Sequence, residues 1–117
     1  MCGRFGLTRP ERLDLHRFGI DHLPTLSPRF NIPPGDEVLV IRLPDGGVAR
    51  HADFLKWGLV PWWATDPSIG GRLANARSDT VFEKPSFRDA IRARRCLIPY
   101  LNCHLAVQQA RFSPFRL

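Results

Sequence analysis

No stretch of this chain approaches the roughly 20 consecutive apolar residues that a membrane-spanning helix needs. The N-terminus has no basic segment running into an apolar one, so no secretory leader is read there, and the expected location is cytoplasmic. Cysteine is scarce: Cys2, Cys96 and Cys103 are an odd number without a close pair, which argues against a disulfide framework. Internal repeats, low-complexity tracts and linkers are missing as well. Acidic residues are missing from one region altogether, since residues 96–117 contain none.

What remains is a chain of 117 residues, 44% apolar, with room for one small domain that buries about two-thirds of its unfolded surface. Eleven prolines and nine glycines point to many turns and short elements. The net charge of +6 is unevenly placed. Residues 1–69 hold eight Lys/Arg and eight Asp/Glu, whereas residues 70–95 hold seven and three. A basic second part suits a polyanion such as nucleic acid; a solvated helix face with a basic tail accounts for the charge equally well.

A short strand is predicted at Gly3 to Leu7, followed by a helix that Thr8 opens, with Glu11 at capping-box spacing, and Gly19 closes. Phe30-Asn31-Ile32-Pro33-Pro34-Gly35 reads as a turn-rich connection. The β-branched run Val38-Leu39-Val40-Ile41, bounded by Pro-Asp-Gly-Gly at 44–47, reads as the first strand of a hairpin returning over Val48 to Leu59. Beyond it, Leu73 to Ser78 is expected to be extended, Pro85 to Ala93 helical and Arg95 to Ile98 a strand. The mixture implies an α+β fold with a mainly antiparallel sheet and short helices.

The chemistry begins at Met1-Cys2-Gly3-Arg4-Phe5. Loss of Met1 leaves Cys2 with a free amine and a thiol two carbons away, a pair that converts an aldehyde first to an imine and then to a five-membered thiazolidine. Holding both nucleophiles on one residue makes ring closure intramolecular, worth up to roughly 7–11 kcal/mol in well-oriented cases. Reference pKa values of about 8 for the amine and about 8.5 for the thiol leave a useful fraction of each unprotonated near neutrality. Gly3 lets a ligand approach closely. The plain alternative is a small apolar residue opening a strand.

Five blocks in order carry a resemblance: Met1-Cys2-Gly3-Arg4-Phe5, Arg29 to Gly35, Trp57-Gly58-Leu59-Val60-Pro61-Trp62-Trp63, Asn75 to Thr80, and Lys84 to Arg88 with Arg94 to Pro99. Over residues 1–99 the chain resembles the SRAP family of abasic-site processing proteins, also called SOS response-associated peptidases. The resemblance implies a partial SRAP-type barrel and an abasic site in single-stranded DNA as partner, captured by Cys2 as a covalent thiazolidine in the DNA damage response. It implies thiol peptidase or hydrolase activity, in the sense of exposing Cys2, and lyase-type abasic-site chemistry, with neither cofactor nor metal. It places the protein on the nucleoid when bound to DNA.

Asn75 matches the family's active-site asparagine, whose amide both donates and accepts. Arg77, two positions on, is expected to share a strand face with Asn75 and to meet phosphate, as is Arg4. Asn31 falls in a family block and joins the DNA-binding candidates. Trp62 and Trp63, beside Pro61, are candidates for stacking on bases, with one of the two expected to be buried. Arg88, Arg92, Arg94 and Arg95 add charge, Arg88 and Arg92 at helical spacing.

After Pro99 the family's glycine-aromatic-glutamate-tryptophan stretch and its later histidine have no assignable counterpart, and His104 is not given that role. Residues 100–117 read as a divergent tail, the mark of a truncated or frameshifted gene, and impaired activity and open sheet edges are the expected consequences. Three rival readings stand beside this one. A glutamine amidotransferase with an N-terminal cysteine also begins Met-Cys-Gly, yet no Asn-Gly or His-Arg-Gly occurs here. A metal site from Cys2, Cys96, Cys103 and His104 lacks paired Cys spacing. An inactive basic nucleic-acid-binding remnant would bind DNA equally well without Cys2.

Overall fold

A computed structural model describes residues 3–22, 24–44, 46–99 and the backbone of 102–103. Cys2 and His104 lie outside the described residues. Strand β1 (Phe5–Leu7) leads into two short 3-10 helices, Pro10–Arg12 and Leu15–Phe18. Then come β2 (Arg29–Ile32), β3 (Glu37–Arg42), β4 (His51–Lys56), a 3-10 helix over Pro67–Leu73, helix α1 (Arg88–Ala93), β5 (Cys96–Leu97) and β6 (Asn102–Cys103). The strands form two three-stranded antiparallel sheets, in the orders β2-β1-β6 and β4-β3-β5. The fold is α+β as the sequence implies; among the described residues the sheets do not close into a barrel.

The alternation of β3 organises the interior. Val38 and Val40 face a cluster with Phe5, Ile32, Trp57 and Cys96, while Leu39 and Ile41 face a second with Leu15 and Ile20. Successive residues of a strand point to opposite faces, so a fully apolar run is the pattern expected of a strand covered on both sides. β3 is accordingly the central strand of its sheet, with sheet β2-β1-β6 supplying Phe5 and Ile32 on one face and the 3-10 segment supplying Leu15 and Ile20 on the other.

The hairpin forms in the expected place with a shorter return strand, pairing Glu37 with Lys56 through Arg42 with His51. Its entry is a tight turn. Gly35 has φ +94, and the Asp36 amide donates to the Pro33 carbonyl at 3.2 Å. Proline and then glycine at the two central positions is the type II pattern. Arg29 clasps this turn, donating to Asp36 Oδ2 at 2.8 Å and to the Glu37 carbonyl.

Three local expectations are corrected. The helix over Thr8 to Gly19 is instead two 3-10 turns, because Leu13 (ψ 109) and Asp14 (ψ 85) leave helical backbone between them. Leu13, Leu15 and Ile20 all pack into the second cluster, a spacing no single α-helical stripe accommodates. Gly19 does end the second turn in the left-handed region, at φ +73. Leu73 to Ser78 is not a strand: the 3-10 helix runs through Leu73, and the chain beyond is fastened as a loop. The helix expected from Pro85 begins at Arg88, although the Lys84 carbonyl already accepts from Phe87 and Arg88, both at 2.9 Å.

Candidate nucleic-acid interface

Trp57, the residue just after β4, carries the architecture of the site. Its ring is 5% exposed, its centroid lies 4.7 Å from that of Phe5, and its indole Nε1 donates to the Ala74 carbonyl at 3.0 Å. One buried side chain therefore touches β1 three residues after Cys2 and holds the residue immediately before Asn75. Backbone bonds lock Trp57 itself, from its amide to Asp36 O at 2.8 Å and from Gly35 N to its carbonyl at 2.7 Å.

The next residue tightens the junction. Gly58 has φ +140, and a Cβ built there would lie 2.2 Å from the Gly70 carbonyl oxygen. Two backbones meet at this point, and only glycine permits both the conformation and the approach. The Leu59 amide donates to Leu73 O at 3.2 Å, a second tie between the strand and the segment leading to Asn75. Farther out, the Asp66 carboxylate caps the 3-10 helix, accepting from the Ser68 amide at 2.9 Å and from its hydroxyl, which holds Asp66 below the usual carboxylate range.

The sequence candidates divide in two groups. Arg4 and Asn31 come together across β1 and β2, with Arg4 Nη1 donating to Asn31 Oδ1 at 3.2 Å. Asn75 is half-buried in the loop fastened by Trp57. Arg77, with a side chain 77% exposed, forms a two-pronged ion pair with Asp79, at 3.1 Å from Nε and 2.8 Å from Nη2. That hydrogen bonding raises the Arg77 pKa and holds the Asp79 carboxyl below its ordinary value. Cys2 lies outside the described residues.

Trp62 and Trp63 are 79% and 47% exposed, so the expectation that one is buried is corrected. The buried tryptophan of that block is Trp57. The pair occupies the two central positions of a turn that the Ala64 amide closes on the Pro61 carbonyl at 3.0 Å, and it stands clear of the core. Two residues of the site were missed in the sequence reading: Trp57 as a clamp and Asp79 as the partner of Arg77. The second was open to detection, because a carboxylate two positions from an arginine in a turn is within its reach.

The chain matches a known family over most of its length. The model of the SOS response associated peptidase (SRAP) family matches residues 1–102, and the chain belongs to that family. It is 42% identical over 102 residues to the abasic site processing protein YoqW of Bacillus subtilis, covering 85% of this chain and 45% of that protein. YoaM of the same organism, likewise an abasic site processing protein, is 39% identical over 102 residues, covering 85% and 44%. A 48-residue match to the rat abasic site processing protein HMCES is 44% identical and covers 38% of this chain and 14% of that one. The chain spans about half the length of the curated bacterial relatives it matches. No solved structure matches it. Among the described residues, no helix is long and apolar enough to cross a membrane.

Proposed function

We propose that this protein processes abasic sites in single-stranded DNA by forming a covalent thiazolidine between the opened sugar and Cys2. The observation that supports this most is the Trp57 clamp, which packs on Phe5 and holds Ala74, so that the first strand and the Asn75 loop share one buried ring. The names of the relatives agree with the reading.

In the proposed reaction, the α-amine of Cys2 adds to the C1 aldehyde, and the aldehyde oxygen leaves as water with both amine protons. The thiol then adds across the C=N bond: sulfur bonds to carbon, and its proton passes to nitrogen. Asn75 orients the sugar through an amide that donates and accepts. Arg4, Asn31 and Arg77 meet the flanking phosphates, and Trp62 and Trp63 stack on neighbouring bases. Exposure of Cys2 by loss of Met1 is the peptidase step, a role in the SOS response follows from the family's description, and the protein works in the cytoplasm on nucleoid DNA.

The test is intact-mass spectrometry after incubation with an oligonucleotide bearing one abasic site, beside Cys2→Ala. The expected product has the two masses less one water, requires Cys2 and survives heating without reductant. A chain with Met1 removed and the fold intact that yields no adduct overturns the proposal.

A further inference from the structure

At the end of the β3–β4 hairpin remote from Trp57 lies a second basic surface. An open groove of 540 Å³ runs between the hairpin end and the junction of α1 with β5, and four arginines line it: Arg42, Arg50, Arg92 and Arg95. Two are held in place. Arg42 Nε donates to Asp53 at 2.7 Å, and Arg50 Nη1 donates to the Phe18 carbonyl at 3.1 Å. Arg92 and Arg95 are exposed and have no ion pair among the described residues. No carboxylate is among the described residues lining the groove; Asp45 lies outside the described residues. Gly46 (φ +71) and Gly47 form part of the wall, and the space a Cβ would take at Gly46 is open.

We propose that this groove binds the phosphate backbone of single-stranded nucleic acid, as a contact separate from the abasic-site centre. Hydrogen-bonded guanidinium forks from the hairpin and exposed ones from the α1–β5 junction suit successive phosphates, and an open trough suits a strand more than an enclosed small molecule. Five residue steps of β3 separate its Arg42 end from its Glu37 end, about 17 Å at the antiparallel rise of about 3.4 Å. That distance is a few nucleotides of extended single strand, so the contact falls on DNA flanking the lesion. The assignment to DNA rests on the proposed function; the groove's preference for a polyanion does not.

The experiment is anisotropy of the full chain with an undamaged single-stranded oligonucleotide of about 20 nucleotides, between about 50 and 200 mM salt. Wild type is compared with Arg92→Gln/Arg95→Gln and with Arg9→Gln/Arg12→Gln, which removes two exposed charges elsewhere. Each single-strand phosphate contact contributes about 0.7 to the slope of log K against log salt. The groove variant is expected to lose about 1.4 from that slope, making it about sevenfold less sensitive over a fourfold rise in salt, while the control keeps the wild-type slope. An unchanged slope in the groove variant overturns the proposal and leaves the groove to an acidic protein surface. Equal losses in both variants overturn it as a net-charge effect. Wild type that binds undamaged DNA with the groove-dependent slope but forms no adduct with abasic DNA sinks the covalent reading and sustains the groove.

Discussion

The indole N–H of Trp57 donates to the Ala74 carbonyl across 3.0 Å, joining the end of a hairpin strand to the residue before Asn75. The same ring packs at 45° on Phe5. Loop position and strand position are thereby set by one side chain.

Trp57→Phe keeps an aromatic ring against Phe5 and removes the donor. A part-buried carbonyl left unpaired costs about 1–3 kcal/mol, which urea unfolding will read. Adduct formation with abasic DNA is expected to slow even where the variant is fully folded, because the Asn75 loop loses its anchor. A variant as stable and as fast as wild type would show that the clamp is not needed.

Gly58→Ala places a methyl 2.2 Å from the Gly70 oxygen and 2.6 Å from its carbonyl carbon, on backbone at φ +140. Neither neighbour is a movable side chain, so a loss above about 4 kcal/mol, or failure to fold, is expected. Gly70→Ala meets Val60 Cγ2 at 3.2 Å and Gly58 O at 3.3 Å. Val60 is exposed and can turn aside, so a loss of about 1–2 kcal/mol is expected for that variant in the same denaturation assay.

Arg77 holds Asp79 below the ordinary carboxylate range, so the charged pair persists at neutral pH and weakens only as pH falls through that lowered value. Whatever stability it gives is complete above the unfolded aspartate value of about 3.9 and is lost below the folded one. NMR titration of the Asp79 carboxyl should give a midpoint under the usual value, moving up in Arg77→Gln. Asp79→Asn should free the guanidinium and strengthen DNA binding several-fold, with a steeper salt slope. Weaker binding in Asp79→Asn would show that the pair positions Arg77 rather than competing with phosphate.

Trp62 is 79% exposed, so Trp62→Ala should change stability by no more than about 0.5 kcal/mol. If Trp62 stacks on a base, the same change weakens single-strand binding by about 1–3 kcal/mol, roughly 5- to 150-fold, whatever the sequence. Urea unfolding reads the stability, and tryptophan fluorescence quenching on DNA addition, compared between wild type and variant, reads the binding.

The hairpin was legible because β3 is apolar at every inner position and bounded by turn residues, a pattern with one good solution. Gly19 and Gly35 were legible as turn positions for the same local reason. The helix after Thr8 misled because a capping-box spacing is a local signal, while the outcome depended on inserting Leu13, Leu15 and Ile20 under β3. Asn75 and Arg77 were assigned to a strand on extended-looking sequence, yet a strand needs a partner edge, and this segment is tied instead to a tryptophan ring and to backbone bonds outside any ladder, from the Leu59 amide to Leu73 O and from the Thr80 amide to Arg77 O.

By itself the sequence determined the family, the α+β class and the basic excess after Ile69, since these follow from residue identity and order. Tertiary structure decided which tryptophan is buried and that arginines from both parts of the chain line one groove. Those outcomes depend on distances between residues far apart in the chain, which packing of β3 between its two clusters sets and no local pattern encodes.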